Sequence, residues 1–563
     1  MYIRQRTPES IHARAIAGLV RRLIFAVDLV LLGAPFATAV EVGKYKTHEI
    51  TFKASVSPAN PFDSYLLKLE VTDPAGRKFK IDGFFDGDGN GGQNGNIWKA
   101  RLSPYSTGVW SWRTIPGDVP DEALAELTGQ FTCVDSGDLG GIIADGHYFR
   151  FQEGDPVFLL GNFLDKTVPF THVYMSEMIS NSDRDAIIVR NRDFHAANKI
   201  NIYFANLGDY RGLSVTPWVG SKTSNDKTKM NLARWKLYDQ YIRRFKDAGM
   251  IAEMWFFADD SNFGALAEAA KNRLYRYAMA RTSAFSHTMY VIALEWEEGW
   301  SRSSVSRSGS FIQMHNPWRR LLSVHSIGTV WAFSGESWAS FVASQSGNEA
   351  RPYRVNPAAI ALRVKEKVPH IGEEFGYLMS DSDDRLRSNL WANFLGGAAG
   401  GGTGSDLKSL QRFISQSRVP FQRMLPANHL AKKGGYTRFV LSELTHHYVI
   451  YSLGSAVQLK ITGEGLTGRW FNPRDPNAVL GGSFRVSPGL QSFTPPHSDD
   501  RDWVLWISDG KNLNRGIVKP STGATLTEEV VDLKPPRTYS QRTGKPHIRG
   551  TSPEYAIGVR ASF

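Results

Sequence analysis

The chain has 563 residues, of which 42% are hydrophobic and 21% are charged, and its formal net charge is +11. This length exceeds one ordinary core and predicts about two to four globular domains. The single cysteine, Cys133, excludes an intrachain disulfide and a multi-cysteine metal site. Lysine and arginine form no run with interleaved aromatic residues, so nucleic acid is not an expected partner, whereas the basic charge favours an acidic polysaccharide.

Residues 1–39 have the pattern of a secretion signal. Five arginines form a basic n-region, Leu23–Leu32 is a short apolar core, and Ala37–Ala39 offers small residues for cleavage. Asp28 interrupts the apolar run, which is shorter than the ~20 residues of a membrane span. We expect a secreted or periplasmic protein that has no membrane contact after cleavage, with an uncleaved anchor as the alternative.

The next segment, residues 40–146, has a strand-and-turn pattern. Five stretches alternate apolar and polar residues between turns of Pro, Gly, Asn and Asp: HEITFKASV, SYLLKLEVTD, KFKIDGFFDG, IWKARLSP and GVWSWRTI. This spacing predicts an antiparallel β-sandwich. Within it, Asp86–Gly91 matches the first half of an EF-hand calcium loop, but Ile97 replaces the glutamate at the twelfth position. We predict a glycine-rich hairpin loop there, with an adventitious calcium site as the alternative.

From His147 onward, apolar strands alternate with amphipathic helices. The predicted strands are VFLLG, INIYF, MIAEMWFF, YVIALEW, SIGTVWAF, WASFVASQ, VPHIGEEFG and a segment at 399–405, and the first helices are predicted at 184–198, 232–248 and 266–283. Strands buried on both faces and joined by helices are typical of parallel β/α units. The count of about eight strands predicts a TIM (β/α)8 barrel over residues 147–427.

Strand patterns return after the predicted barrel. TRFVLSEL, HYVIYSLG, AVQLKITG, LTGRWFNP and DWVLWISD predict a small β-domain over residues 428–509. Residues 510–563 have little apolar periodicity and are predicted to be a flexible tail. The predicted fold class is therefore α/β, with a TIM barrel between an N-terminal β-sandwich and a small C-terminal β-domain.

Polar residues follow the predicted barrel strands, where β/α loops build the concave surface of such a fold. In chain order they are Asn162, Asp165, Asp209, Tyr210, Arg211, Asp259, Asp260, Glu297, Glu298, His325, Gln345, Glu373 and Glu374. Two adjacent glutamate pairs are prominent in this series. Glycoside hydrolysis needs two carboxyl groups, one protonated to donate to the leaving oxygen and one ionised to attack the sugar or to activate water.

The two glutamate segments resemble a known superfamily. Val368–Tyr377 (VPHIGEEFGY) resembles strand seven of the clan A glycoside hydrolases, and Glu295–Glu298 (EWEE) resembles the end of their strand four. The resemblance implies a retaining enzyme without metal or organic cofactor, in which Glu298 is the acid/base and Glu374 the nucleophile. Glu297 stands where those enzymes usually have Asn. If the alignment with the superfamily shifts by one residue, the roles within each pair are exchanged, so that Glu297 is the acid/base and Glu373 the nucleophile. Otherwise Glu297 and Glu373 are supporting or substrate-binding groups.

A narrower resemblance covers most of the chain after residue 39. Phe84–Gly89, Trp98–Pro104 and Thr107–Trp112 resemble a DUF5060-like N-terminal sandwich of secreted proteins with a glycosidase-like barrel. Trp470–Arg474 and Asp502–Leu505 are similar to the C-terminal domain of those proteins, which carries a collagen-binding label. The order of these motifs is more specific than any one of them.

Substrate contacts are expected from five residues at or after strand ends, with a packing role as the alternative for the tryptophan and the histidine. These residues are Asp165, Tyr210, Asp259, Trp300 and His325. Strand alternation places Glu295 deeper inside the barrel, where we expect a partner such as Arg or Lys.

Two other function classes compete with hydrolysis of sugars. A carbohydrate- or matrix-binding protein on a degenerate barrel is the first, because a fold does not by itself confer activity. The retained glutamates argue against it. A serine esterase is the second, because Gly335–Ala339 (GESWA) approaches a nucleophile elbow but lacks its last glycine.

Overall fold

The computed structural model of the chain describes most residues between 40 and 514. The described ranges are 40–161, 172–174, 198–205, 216–221, 224–247, 249–257, 263–328, 330–346, 350–374, 383–402, 407–433, 438–453, 456–475, 477–497 and 501–514. The predicted signal, almost all of the helix predicted at 184–198, and the tail beyond residue 514 lie outside these ranges. None of the described helices is long and apolar enough to cross a membrane.

The N-terminal strands form two sheets. Their bounds are β1 Glu41–Gly43, β2 His48–Lys53, β3 Leu67–Thr72, β4 Lys78–Asp82, β5 Phe84–Phe85, β6 Ile97–Leu102, β7 Gly108–Pro116 and β8 Thr128–Val134. One sheet has the order β1-β8-β7-β3-β4 and the other β2-β6-β5, and every pair except β1–β8 is antiparallel. Apolar residues of β3 are buried in alternation with charged ones, so one face of its sheet packs into the core.

The glycine-rich loop joins two antiparallel strands, β5 and β6, as a hairpin. Its first carboxylate, Asp86, is buried and pairs with Arg281 at 2.7 Å and Lys99 at 2.9 Å. Asp88 accepts hydrogen bonds from the backbone N–H groups of Asn90 and Gly92 within the loop. Both acidic side chains of the calcium-like motif therefore bond to protein groups.

A short antiparallel sheet of β9 Ile142–Asp145, β10 Tyr148–Phe151 and β11 Pro156–Val157 leads into the central part of the chain. The strands there are β12 Leu159–Gly161, β13 His172–Tyr174, β14 Asn198–Ala205, β15 Trp218–Gly220, β16 Asn225–Met230, β17 Ile251–Phe257, β18 Thr288–Ala293, β19 Leu322–Ser323, β20 His325–Ile327, β21 Val342–Gln345, β22 His370–Glu374 and β23 Gly400–Gly401. The described helices are α1 Leu232–Asp247, α2 Glu268–Thr282, α3 Arg302–Met314, α4 Pro352–Lys365, α5 Asp383–Leu395 and α6 Leu407–Ser417.

Most of these strands form one parallel sheet. Its order is β19-β18-β17-β14-β12-β23-β22-β21-β20, with β13 beside β14, whereas β15 and β16 form a separate hairpin. Every residue of β17 and β18 is buried, as expected for a parallel sheet covered on both faces. The two ends of the order, β19 and β20, are separated in the chain only by Val324.

The fifth predicted barrel strand, SIGTVWAF at 326–333, is displaced in the structure. The strand residues are 322–323 and 325–327, and the described residues between Gly328 and Phe341 form turns with neither strand nor helix. Three large side chains of this connection, Trp331, Phe333 and Trp338, are buried. The apolar run that suggested a strand is therefore a packed loop, and periodicity alone does not separate the two for so short a segment.

The C-terminal strands form a second pair of sheets. They are β24 Leu425–Pro426, β25 Ala431–Lys433, β26 Phe439–Glu443, β27 His447–Leu453, β28 Val457–Ile461, β29 Leu466–Phe471, β30 Phe484–Val486, β31 Gly489–Phe493 and β32 Asp502–Ser508. The orders are β24-β26-β27-β32-β29-β30 and β25-β28-β31. Apolar residues from both sheets, including Val440, Leu459 and Ile507, share one core.

Both β-domains contact helices of the central part through buried arginine–aspartate pairs. Arg101 of β6 and Arg281 of α2 are buried and both bond to Asp239 of α1. At the other end, Arg387 of α5 makes two bonds to buried Asp502 of β32, at 2.9 and 3.0 Å, beside several aromatic contacts. Shared buried ion pairs of this kind fix the orientation of the partners, because an unpaired buried charge is costly.

Residues 510–514 differ from the predicted flexible tail. Asn514 exchanges backbone and side-chain hydrogen bonds with Arg418, Val419 and Gln422. Leu513 packs against the main core. The start of the predicted tail is thus held against the segment that follows α6, a long-range contact that local composition does not encode.

Candidate functional site

The parallel sheet has one face covered by helices and another that carries polar groups. Phe256 of β17 contacts Tyr275 of α2 with ring centroids 4.8 Å apart, so Phe256 points to the helices. The ring of the preceding residue, Trp255, lies 5.6 Å from the ring of His325 of β20, although β17 and β20 are not paired. Since successive side chains of a strand alternate, Trp255 and His325 share the face opposite the helices. The candidate site is built at the carboxyl ends of strands along this second face.

Strand β18 ends in an unusual backbone turn at Glu295. This residue has φ 47° and ψ 56°, a left-handed conformation that non-glycine residues rarely adopt. Its N–H donates to His325 Nδ1 at 3.2 Å, and its carbonyl accepts from the Glu298 N–H at 3.0 Å. Its carboxylate accepts from the Gln345 amide. Several contacts thus hold a conformation that costs on the order of 1–3 kcal/mol, a situation typical of functional sites.

One described partner of Glu295 is a neutral group. The Gln345 amide donates to this buried carboxylate, and the arginine or lysine expected beside it stays a prediction. Gln345 ends β21 and lies opposite Glu374 of β22 in the strand register. Gln345 thereby contacts Glu295 through its side chain and pairs with Glu374 through its position in the strand.

The first glutamate pair lies on a 3-10 turn, Trp296–Glu298, and both carboxyl groups are exposed. Glu297 accepts a hydrogen bond from the Ile327 N–H at 3.0 Å. Desolvation raises the pKa of Glu297 to about 7, and repulsion from Glu298 adds to it, whereas the hydrogen bonds from Ile327 and Ser326 act in the opposite direction. A carboxyl that is exposed to solvent and has a raised pKa can carry a proton near neutral pH, as a proton donor to a bound substrate requires.

The second pair ends β22 at an irregularity. Ser344 lies opposite Gly372, but the next residue, Gln345, lies opposite Glu374, so Glu373 is an extra residue in the pairing. Glu373 is completely buried, whereas Glu374 is half-buried. Bulges of this kind redirect side chains and are common beside active sites. The Glu374 carbonyl also accepts from the Ser346 N–H at 2.8 Å, which ties the strand end in place.

The two pairs belong to one edge of the sheet. Strand β18 pairs with β19, β20 pairs with β21, and β21 pairs with β22, all in parallel. The contacts of Glu297 with Ile327 and of Glu295 with Gln345 cross the same strand ends. These contacts therefore connect the ends of the strands that carry the two glutamate pairs, which the sequence separates by about 75 residues.

Trp300 and His325 are also near this edge, but they are closed off from solvent. The Trp300 ring lies against Phe257 at 5.5 Å and the Lys271 ammonium group at 4.3 Å, and only 9% of the residue is exposed. His325 is completely buried. The packing role considered for both residues fits these positions, and their contact with substrate stays a prediction.

The other predicted substrate-binding residues, Asp165, Tyr210 and Asp259, lie outside the described residues, as do Asn162, Asp209, Arg211 and Asp260. Within the described residues, no group of three His, Cys, Asp or Glu side chains is arranged to hold a metal ion.

Glu253 is a polar group on the inner face that the sequence predictions missed. It is completely buried in β17 and accepts a hydrogen bond from the Trp255 indole at 3.1 Å. Strand alternation places it on the same face as Trp255. The sequence does contain an indication of this polar position, because Glu253 is the single charged residue of the strand IAEMWFF.

The esterase motif does not have the geometry of a nucleophile elbow. Ser337 lies in the irregular connection between β20 and β21, and its hydroxyl donates to Gln313 at 3.0 Å. An elbow needs a sharp strand-to-helix turn and a histidine base beside the serine. The structure thus contradicts the esterase alternative.

Comparisons with known proteins agree with this architecture. Residues 41–116 match the family model described as "Domain of unknown function (DUF5060)". Residues 419–508 match the model described as "Putative collagen-binding domain of a collagenase". No curated protein matches the chain.

Solved structures of other proteins have folds similar to that of this chain. A structure described as a "putative glycoside hydrolase from Bacteroides vulgatus ATCC 8482" has a TM-score of 0.64 at 16% identity, covering 83% of this chain and 99% of that one. A family 5 glycoside hydrolase from the same organism has a TM-score of 0.53 at 13% identity, covering 67% and 96%. A further structure described as a glycoside hydrolase has a TM-score of 0.50 at 15% identity, covering 66% and 97%.

These likenesses define the class of the protein by its fold. The chain has a glycoside-hydrolase-like α/β fold, with a DUF5060 domain near one end and a domain of the collagen-binding model near the other. The predicted family resemblance is thereby confirmed. At such low identity the fold alone is transferred, and the chemistry has to be argued from the site.

Proposed function

We propose that this protein is a retaining glycoside hydrolase that cleaves O-glycosidic bonds of a poly- or oligosaccharide. The observation that carries the proposal is the pair of accessible carboxyl-bearing strand ends joined through Gln345, one of which holds a carboxyl with a pKa of about 7. Glycoside hydrolysis requires one carboxyl group that is protonated and a second that is ionised on either side of the bound sugar.

The proposed architecture around this edge is a (β/α)8 barrel. If β19 and β20 are two halves of one strand, the parallel sheet has eight strand positions, and residues 322–327 pair with β18 on one side and β21 on the other. The strand would then close the sheet into a ring. Glu253, Trp255, His325 and Glu295 would fill its interior below the site.

In the first step, one glutamate of the first pair donates its proton to the glycosidic oxygen as the bond to the anomeric carbon breaks. Glu298 holds the position that resembles the clan A acid/base, whereas the raised pKa favours Glu297 as the group that is protonated near neutral pH. One oxygen of Glu297 accepts the Ile327 N–H, which leaves the other available to carry the proton.

The second pair supplies the nucleophile of the same step. Glu374 is half-buried, so its carboxylate can reach a sugar in the cleft, whereas Glu373 is completely enclosed. Attack by Glu374 on the anomeric carbon forms a glycosyl ester. In the second step, the deprotonated acid/base takes a proton from water, which opens the ester and releases the sugar with its original configuration.

A binding function on the same fold is the second candidate. The match of residues 419–508 to a collagen-binding model is the observation that favours it. The match concerns one domain, and a binding protein does not need a perturbed carboxyl in its cleft.

A substrate screen separates the two candidates. Neutral and acidic polysaccharides and aryl glycosides are incubated with the full chain, the acidic ones because of the +11 formal charge. The control is the same chain with Glu297, Glu298 and Glu374 all changed to Gln. We expect turnover by the unmodified chain only, and NMR should show the substrate's anomeric configuration in the first product. Binding without turnover across the screen would support the second candidate, and inversion would exclude the retaining mechanism.

A further inference from the structure

Ile327 is a large apolar side chain within the polar edge that carries the two glutamate pairs. It ends β20, and 40% of the residue is exposed. Single exposed apolar residues are common on protein surfaces, so exposure alone does not indicate a function. The position of Ile327 is the informative feature, because its backbone N–H donates to the Glu297 carboxyl at 3.0 Å.

The strand geometry gives the direction in which the Ile327 side chain points. His325, two residues earlier in β20, lies on the face opposite the helices together with Trp255. Side chains two residues apart in a strand share a face, so Ile327 points to this face as well. Its partner in the strand register, Gln345, bonds through its side chain to Glu295 on the same face.

The register also places Ile327 between the two proposed catalytic carboxyl groups. Ile327 lies opposite Gln345, and Gln345 lies opposite Glu374. Neighbouring strands are about 4.8 Å apart, so the backbones of Ile327 and Glu374 are on the order of 10 Å apart. With Glu297 bound to the Ile327 N–H, these residues form a row across the strand ends. The other three members of the row are polar.

The side of the row on which Ile327 lies follows from the proposed chemistry. The proton donor of a glycoside hydrolase lies beside the leaving oxygen, whereas the nucleophile lies beside the anomeric carbon of the retained sugar. Ile327 is bonded to Glu297 and is separated from Glu374 by Gln345. An apolar side chain there favours an apolar partner, since a hydroxyl group pressed against it loses hydrogen bonds to water.

We propose that Ile327 is a specificity-determining residue, which lines the leaving-group side of the site and favours leaving groups that present an apolar surface, such as aryl or alkyl groups. The assignment to the leaving-group side rests on the proposed function. The exposure, the direction and the register position of Ile327 do not depend on it.

The test measures binding and does not need turnover. The probes are pairs of S-linked glycosides, phenyl and 2-hydroxyethyl, made from a panel of common hexoses, pentoses and uronic acids. Dissociation constants for the full chain are obtained by ligand-observed NMR titration. For at least one sugar, we expect the phenyl compound to bind about 10-fold more tightly than its 2-hydroxyethyl partner, the size of a small apolar contact in a binding site.

Three variants connect this ratio to Ile327. Ile327→Asn should lower the ratio to below about threefold, because a polar side chain replaces the apolar one. Ile327→Val, which keeps a branched apolar side chain, should retain most of the ratio. The matched control is Val364→Asn, since Val364 is 70% exposed near the end of α4, before β22 begins, and should leave the ratio unchanged. Circular dichroism checks folding, and Ile327→Ala replaces Ile327→Asn if the latter does not fold.

An unchanged ratio in folded Ile327→Asn, or in Ile327→Ala where Ile327→Asn does not fold, would overturn the proposal. It would also be overturned if Val364→Asn lowered the ratio equally, or if the unmodified chain bound no phenyl compound of the panel more tightly than its partner. A ratio that falls only in the Ile327 variants, in a chain without turnover in the substrate screen, would support the apolar subsite and count against hydrolysis alone. Turnover together with an unchanged ratio would leave the hydrolase function standing and remove the role of Ile327.

Discussion

The two glutamate pairs at the edge of the parallel sheet differ in how the chain presents them. Glu297 and Glu298 lie on a turn beyond the strand and are exposed, whereas Glu373 and Glu374 lie within a strand, one enclosed and one half-buried. In the first pair both carboxyl groups are accessible, so accessibility does not determine which of the two is the proton donor. The acidity of the two groups has to determine it. In the second pair accessibility itself makes the selection.

This difference fits the two roles in glycoside hydrolysis. A proton donor must exchange protons with water between turnovers and must hold a raised pKa, which an exposed carboxyl in a concave setting can do. A nucleophile must be held rigidly at a fixed distance from the sugar, which a strand does better than a turn.

The largest expected effect tests the selection within the second pair. Glu374→Gln should lower kcat/KM on the order of 10⁴-fold, because the covalent step loses its nucleophile. Glu373→Gln, a matched control one residue away, should keep most of the activity. Steady-state kinetics on a substrate from the screen measure both values. The opposite ranking would move the nucleophile to Glu373.

A smaller effect tests the first pair. Glu297→Gln should lower kcat/KM by roughly 10²–10⁴-fold and abolish the fall of activity as pH rises through about 7, because that limb reports the loss of its proton. Glu298→Gln should retain the limb and move it to slightly lower pH, because repulsion between the two carboxylates is removed. A pH series of kcat/KM for both variants measures the limbs. If the fall of kcat/KM with rising pH disappears in Glu298→Gln and remains in Glu297→Gln, Glu298 is the proton donor.

The smallest effect concerns stability. Because the folded-state pKa of Glu297 is raised to about 7, the folded protein holds this proton more tightly than the unfolded chain. The stabilising contribution of the protonated group is full below the unfolded value of about 4.5 and is lost as pH rises through about 7. The Tm of the unmodified chain should therefore fall relative to that of Glu297→Gln between pH 5 and pH 8. Parallel Tm curves would show that the pKa is not raised.

The secondary structure of this chain was largely predictable where the periodicity was long or the turns were marked. Helix α1 begins at the predicted residue, Leu232, and the five predicted C-terminal strands are all present. The prediction failed for the connection at residues 328–341, where a strand was expected. Its buried tryptophans pack as a loop, and a single charged residue such as Glu253 inside an apolar strand was overlooked because no neighbour in the sequence indicated a use for it.

The sequence by itself determined the order of domains, the strand ends that bear glutamates, and the resemblance to glycosidases. These features depend on local patterns of apolar residues, turns and short motifs. Only the tertiary structure decided that the Gln345 amide meets Glu295, that the Ile327 N–H meets Glu297, and that Glu373 is enclosed while Glu374 is reachable. Each of these depends on which strands lie side by side and in what register, and a side chain acquires its acidity from those neighbours rather than from its place in the chain.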